Sequence, residues 1–123
     1  MVRAVTDDSF EADVLRSAKA VIVEYWAQWC GPCRQLGPVP EAIAAEHADA
    51  IDVVKVNADE NPRTTARYRV MLVPTVAVFC AGEVVRQLAG ARSRSAMLRQ
   101  VADFLSRMPA ASGSGGAAGE NAG

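Results

Sequence analysis

Apolar positions run almost without a break from Ala20 to Ala27 (AVIVEYWA), and the run is rich in β-branched and aromatic side chains. A short continuous run of this kind predicts a strand buried on both faces, with Glu24 as its one polar interruption. The same reasoning places a second buried strand over 51–59 (IDVVKVNAD), with Lys55 inside it. Residues 74–80 (PTVAVFC), the pair Ala81-Gly82 and the segment EVVRQLAG predict a strand–turn–strand unit with Gly82 in the turn. A short edge strand is expected at VRAV, near the start of the chain.

Between these runs the apolar period lengthens toward that of a helix. TDDSFEADVLRS offers Thr6, Asp7, Asp8 and Ser9 as caps, and Phe10 and Val14, four apart, share one face. Residues 32–47 place Leu36, Val39, Ile43 and His47 on one helical face. Pro32 suits the first turn, Pro38 predicts a kink, and Pro40 fits an unbroken helix poorly. ENPRTTARYRV opens on the turn signal Asn61-Pro62 and carries a short helix. SRSAMLRQVADFLSRM has Met97, Leu98, Val101, Phe104 and Leu105 at helical spacing behind serine caps. The expected order is βαβαβαββα, an α/β chain.

The chain has 123 residues, which suits one domain, here taken as 1–108. From Pro109 onward the Gly/Ala/Ser-rich segment 109–123 has no large apolar group to bury and is expected to be a disordered tail. With 13 Lys and Arg against 14 Asp and Glu, no basic field exists to gather nucleic acid or anionic lipid. No apolar run reaches membrane-span length, and the start of the chain lacks the apolar core of a secretory signal, so the expected compartment is the cytoplasm. Thiols are kept reduced there, and three cysteines point to chemistry rather than to a disulfide scaffold.

The candidate chemistry lies in WAQWCGPC, residues 26–33. A structural zinc site needs four ligands, and beyond Cys30 and Cys33 the chain offers only Cys80 and His47, without finger spacing. An inert core pair fits poorly with a strand-to-helix junction. A redox dithiol fits better. Cys30 falls at the helix N-cap, where free N–H groups and the helix dipole favour thiolate over thiol, and the thiolate is the attacking species. Cys33 follows one turn later and is expected to lie deeper, placed to resolve a mixed disulfide. Gly31 and Pro32 form a tight loop that fixes the spacing of the sulfurs.

Together with TDDSFEADVL, VKVNADENP, VPT and GEVV in the same order, WAQWCGPC resembles the thioredoxin family over about Val5 to Leu105. The resemblance implies the thioredoxin fold, a central mixed sheet of about five strands flanked by about four helices. It implies a general protein-disulfide reductase working by dithiol–disulfide exchange in cytoplasmic redox homeostasis. A thioredoxin reductase would regenerate the dithiol. NADPH and FAD belong to that partner, and the chain itself would carry no cofactor and no metal. Substrates would be disulfide-containing proteins, and the chain is expected to be a monomer.

The resemblance also gives meaning to single positions. Glu24 stands where relatives usually carry Asp, as a buried carboxylate with a raised pKa that exchanges a proton with Cys33; its alternative is a carboxylate reaching solvent. Lys55 is then a partner that tunes the acid, or a stem that snorkels to solvent. Pro74 would be cis, and Val73 would pair with an extended substrate segment. Met71 and Leu72 replace the basic or small residue and the glycine common in relatives. Trp29 would contact substrate, Trp26 would be a core aromatic, and Gly90 would border the docking surface. Cys80 reads as a spectator thiol and His47 as a packed or boundary residue. Two rival readings are a docking module whose thiol exchange is incidental, and an exported oxidase, which would need a leader.

Overall fold

In the computed structural model, the residues described are 2–36, 45, 49–90, 96, 99, 100, 102 and 103. Among the described residues are five strands: β1 (Arg3–Ala4), β2 (Ala20–Trp26), β3 (Ile51–Asn57), β4 (Thr75–Cys80) and β5 (Glu83–Ala89). They form one mixed sheet in the order β1-β3-β2-β4-β5. β1 and β2 each run parallel to β3, whereas β4 runs antiparallel to both β2 and β5. The two runs read as doubly buried strands, β2 and β3, sit inside the sheet, which is why they lack an alternating polar face.

Side-chain alternation divides the sheet into two faces. On one, Val21, Val23 and Tyr25 of β2, Val54 and Val56 of β3, and Ala77 and Phe79 of β4 make a core with Val5, Phe10, Val14 and Val70. Phe10, Tyr68 and Phe79 interlock there, with the Tyr68 and Phe79 rings edge to face at 5.0 Å between centroids. The opposite face carries Ile22 and Glu24 of β2, beside Val53 and Lys55 of β3 and Val76 and Val78 of β4. Glu24 is therefore on a central strand, with no sheet edge to escape over.

The helices follow the sequence reading in place and differ from it in detail. The segment after β1 closes as a single π-turn, Glu11–Leu15, in which Arg16 N–H donates to Glu11 O at 2.9 Å. Phe10 and Val14 are both buried, as their spacing requires. Thr6 and Ser9 cap this segment reciprocally: Thr6 N–H donates to Ser9 Oγ at 3.0 Å and Ser9 N–H to Thr6 Oγ1 at 3.3 Å. Asp7 does not serve as a local cap. Its carboxylate reaches across the chain and accepts from Arg63 N–H at 3.1 Å, Thr64 N–H at 2.8 Å and Thr64 Oγ1 at 2.6 Å. These amides open the helix α2 (Pro62–Arg67), so the cap of α2 comes from a residue far upstream in sequence. The helix α1 (Gly31–Leu36) starts at the dithiol, with Pro32 in its first turn as expected.

The β4–β5 connection is a two-residue turn, Ala81-Gly82, with φ +53° and +84°. Positive φ at both positions matches the twist of the flanking strands, and a Cβ on Gly82 would come within 3.2 Å of Leu15 O. The expectations for Val39, Ile43, His47 and the kink at Pro38 and Pro40 fall outside the described residues. So do those for Met97, Leu98, Val101, Phe104, Leu105 and the tail 109–123; the neighbouring positions Ala96, Arg99, Gln100, Ala102 and Asp103 are helical. Among the described residues no helix is long and apolar enough to cross a membrane.

Candidate active site

Parallel neighbours end together. Trp26 of β2 lies in register with Asn57 of β3, and Ala58 N–H donates to Trp26 O at 2.8 Å. The loops that follow these strands leave the sheet at one end, and that end holds the two cysteines. Cys30 N–H donates to Ala27 O at 3.1 Å, closing a turn that delivers Cys30 to the start of α1. Cys30 and Cys33 form a disulfide across 5.4 Å between Cα atoms. Cys33 N–H, at the open end of α1, donates to Cys30 Sγ at 3.1 Å. One sulfur of the pair thus receives a backbone donor that is ready to hold negative charge.

The two half-cystines are 2% and 6% exposed, Cys30 being the first. The expectation that Cys33 lies deeper is not met in this oxidised state. What sets Cys30 apart in the structure is the backbone hydrogen bond on its sulfur. Gly31 and Pro32 between them are exposed, and a Cβ on Gly31 would meet nothing within 4 Å, so crowding does not demand a glycine there.

Around the dithiol, Ala27 packs with both cysteines, and Trp26 and Val73 close over this cluster. Trp26 is half-buried, close to its expected core role. The Val73–Pro74 bond is cis. Pro74 is buried, its carbonyl accepts from Gly90 N–H at 2.9 Å, and Gly90 sits at φ +97°, which favours glycine. Val73 packs against the cysteines, and Gly90 is tied to the next residue, Pro74, by its N–H. Trp29 projects from the loop with 69% of its surface exposed, and its Nε1–H donates to Asp59 Oδ2 at 2.8 Å.

Glu24 is 7% exposed. Burial raises its pKa from 4.5 to about 7, and the positive charge of Lys55 only partly offsets that rise. Lys55 stands directly across the β2–β3 ladder from Glu24, and its ammonium lies 5.6 Å from the centroid of the Trp26 ring. It is half-buried, so it combines both sequence readings: a stem that escapes past an aromatic face and a charge beside the acid. Lys55 thus faces Glu24 across the ladder and the Trp26 ring beside it, and Trp26 packs against the dithiol.

Two residues at the site escape the sequence reading. Asp59 fixes the Trp29 indole, and the Arg34 guanidinium donates to Gln28 O at 2.8 Å, holding the loop just before Cys30. The signal for Asp59 lies in the parallel pairing of β2 with β3, which sends NADENP out beside WAQWC. Cys80 is a free, half-buried thiol at the end of β4, away from the motif in sequence and with Glu83 as its ladder partner. Among the described residues no three Cys, His, Asp or Glu side chains gather as a metal site.

The arrangement is a disulfide at a strand-to-helix junction, with a backbone donor on one sulfur and a buried acid on the strand that leads to it. It is suited to taking up and releasing two electrons with two thiols. The thioredoxin family model matches residues 1–103. The chain is 54% identical over 99 residues to a thioredoxin of Streptomyces clavuligerus, covering 80% of this chain and 92% of that one. It is 47% identical over 104 residues to a thioredoxin of Mycolicibacterium smegmatis, covering 83% and 93%. It is also 43% identical over 101 residues to the bifunctional thioredoxin reductase/thioredoxin of Mycobacterium leprae, matching 82% of this chain and 22% of that protein. The match spans every strand of the sheet and both cysteines, and the chain belongs to the thioredoxin family of protein-disulfide oxidoreductases.

Proposed function

We propose that Cys30 is the attacking thiolate and Cys33 the resolving thiol of a general protein-disulfide reductase. The observation that carries this order is the hydrogen bond from Cys33 N–H to Cys30 Sγ at 3.1 Å. A donor aimed at one sulfur lowers the energy of its thiolate and leaves the other as a thiol near neutral pH.

In the reduced protein, Cys30 S⁻ attacks one sulfur of a target disulfide. A Cys30–target disulfide forms, and the other target sulfur leaves as a thiolate that takes a proton from solvent. Cys33 then gives its proton to the Glu24 carboxylate and attacks Cys30 Sγ. The target sulfur bonded to Cys30 leaves as a thiolate that takes a proton from solvent, and the Cys30–Cys33 disulfide remains. Two electrons have passed to the target. Glu24, with a pKa of about 7, populates both of its forms at neutral pH, as a group that accepts a proton here and returns it in the reverse step should. Lys55 tunes that acid, and Trp26 supports the dithiol beside it. Gly31 and Pro32 hold the two cysteines one turn apart.

Target segments dock on Trp29, Val73, Pro74 and Gly90. Val73 packs against the two cysteines, which brings a target segment that pairs with it to the sulfurs, and Trp29 is an exposed aromatic surface. A thioredoxin reductase regenerates the dithiol, a partnership supported by the fused reductase and thioredoxin of the Mycobacterium leprae relative. The protein works without a bound cofactor, as a monomer in the cytoplasm. The test is insulin disulfide reduction driven by dithiothreitol. Wild type accelerates it, Cys30→Ser does not, and Cys33→Ser accumulates covalent adducts through Cys30. Adducts that accumulate instead on Cys33 of Cys30→Ser would reverse the assignment.

A further inference from the structure

Gly90 belongs to the docking surface just assigned, and its φ of +97° leaves the face where a side chain would stand without a Cβ. That face is not bare. Leu72 Cδ1 lies 3.7 Å from the position a Gly90 Cβ would take. We propose that Leu72 is a specificity-determining residue: it covers Gly90 at the edge of the dithiol site and selects target disulfides whose cysteine is flanked by apolar side chains. The inference rests on the reading of Val73, Pro74 and Gly90 as the surface that receives the target.

Three observations support it. Leu72 is held in place, because its carbonyl accepts from Thr75 Oγ1 at 2.7 Å across the cis bond. It remains 49% exposed, so its methyl groups are presented outward as well as over Gly90, and the adjacent Met71 is 86% exposed. The next residue, Val73, packs directly on the Ala27, Cys30 and Cys33 cluster, so the apolar edge is continuous with the reacting sulfurs. The Leu72 side chain offers no hydrogen bond, so a polar side chain arriving on it loses water and gains little in exchange, whereas an apolar one buries area. A target segment therefore meets hydrocarbon where an uncovered glycine would have offered backbone.

The test uses two disulfide-linked peptide dimers that differ only at the cysteine flanks, Leu-Cys-Leu against Asn-Cys-Asn. The two side chains are similar in size and uncharged, and each rate is divided by the peptide's own rate with dithiothreitol. Wild type is expected to favour the leucine peptide by about tenfold in kcat/KM, the worth of roughly two buried methylenes, with the difference in KM. Leu72→Ser and Leu72→Lys are each expected to bring the ratio to about two or less. A wild-type ratio near one overturns the proposal, as does a tenfold ratio that persists in either variant. Hydroxyethyl disulfide, which has no flanking residues, separates the outcomes. If wild type fails to reduce it as well as both peptides, the dithiol assignment fails and not the role of Leu72.

Discussion

Replacing Glu24 by glutamine removes one buried titratable group while keeping the size of the side chain. Burial holds the Glu24 carboxyl at about 7 against an ordinary value of 4.5, with Lys55 pulling weakly the other way. At 1.36 kcal/mol for each tenfold change in proton affinity, that difference is worth about 3 kcal/mol. The direction follows from which state holds the proton. Between pH 4.5 and 7 the folded protein keeps the proton that the unfolded chain has released, so stability is greatest below pH 4.5 and falls as pH rises to 7. The Glu24→Gln variant has no such proton to release. Urea unfolding of the oxidised protein at intervals from pH 4.5 to 8 measures the difference between variant and wild type, which cancels the titration of every shared group. The difference is expected to grow by about 3 kcal/mol in favour of the variant and then level off above pH 7. A difference that stays flat over this range would show that Glu24 titrates like a solvated carboxylate, and its role with Cys33 would go with it.

The same Glu24→Gln variant should resolve mixed disulfides about 100-fold more slowly or worse at neutral pH, within the range general-base catalysis supplies, and should lose the pH dependence near 7; single-turnover release of a target thiol measures both. Asp7→Ala should cost about 1–2 kcal/mol in urea unfolding at pH 7, through the cap on Arg63 and Thr64 N–H. Desolvation alone would raise the Asp7 pKa, but the Thr64 and Arg63 hydrogen bonds and the Arg63 charge outweigh it and hold the group below 3.8; its contribution is therefore complete above pH 3.8 and lost below that as the folded carboxyl protonates. Asp59→Ala frees the Trp29 indole and should raise KM for insulin several-fold with kcat little changed, alongside a shift in tryptophan fluorescence.

The strands and the dithiol are legible in the sequence because their causes are local. A β-branched run such as AVIVEYW has few alternatives to a buried strand, and Cys-Gly-Pro-Cys carries its own spacing. Glu24 is legible for a related reason: an acid inside an apolar run must either reach an edge or change its pKa, and the sheet order closes the first option. What stays hidden depends on contacts between distant segments. Asp7 lies in a stretch that reads as a local cap, yet Thr6 and Ser9 satisfy that end between them and free Asp7 for an amide pair 56 and 57 residues away. Asp59 meets Trp29 only because two parallel strands end in register. Leu72 reads as a rim residue, and only the backbone at Gly90 reveals what it covers. Helix position alone makes Cys33 the deeper cysteine, whereas burial in the closed disulfide makes the two nearly equal.

The order of attack and resolution rests on one sulfur being the better thiolate because a backbone amide points at it. Alkylation of the reduced protein by iodoacetamide, followed by mass spectrometry at each cysteine from pH 5 to 10, reads this out sulfur by sulfur. Cys30 should react first, with a midpoint below the ordinary thiol value of about 8.5, while Cys33 lags at every neutral pH. A Cys30 midpoint at or above that of a free thiol, or faster labelling of Cys33, would overturn the order.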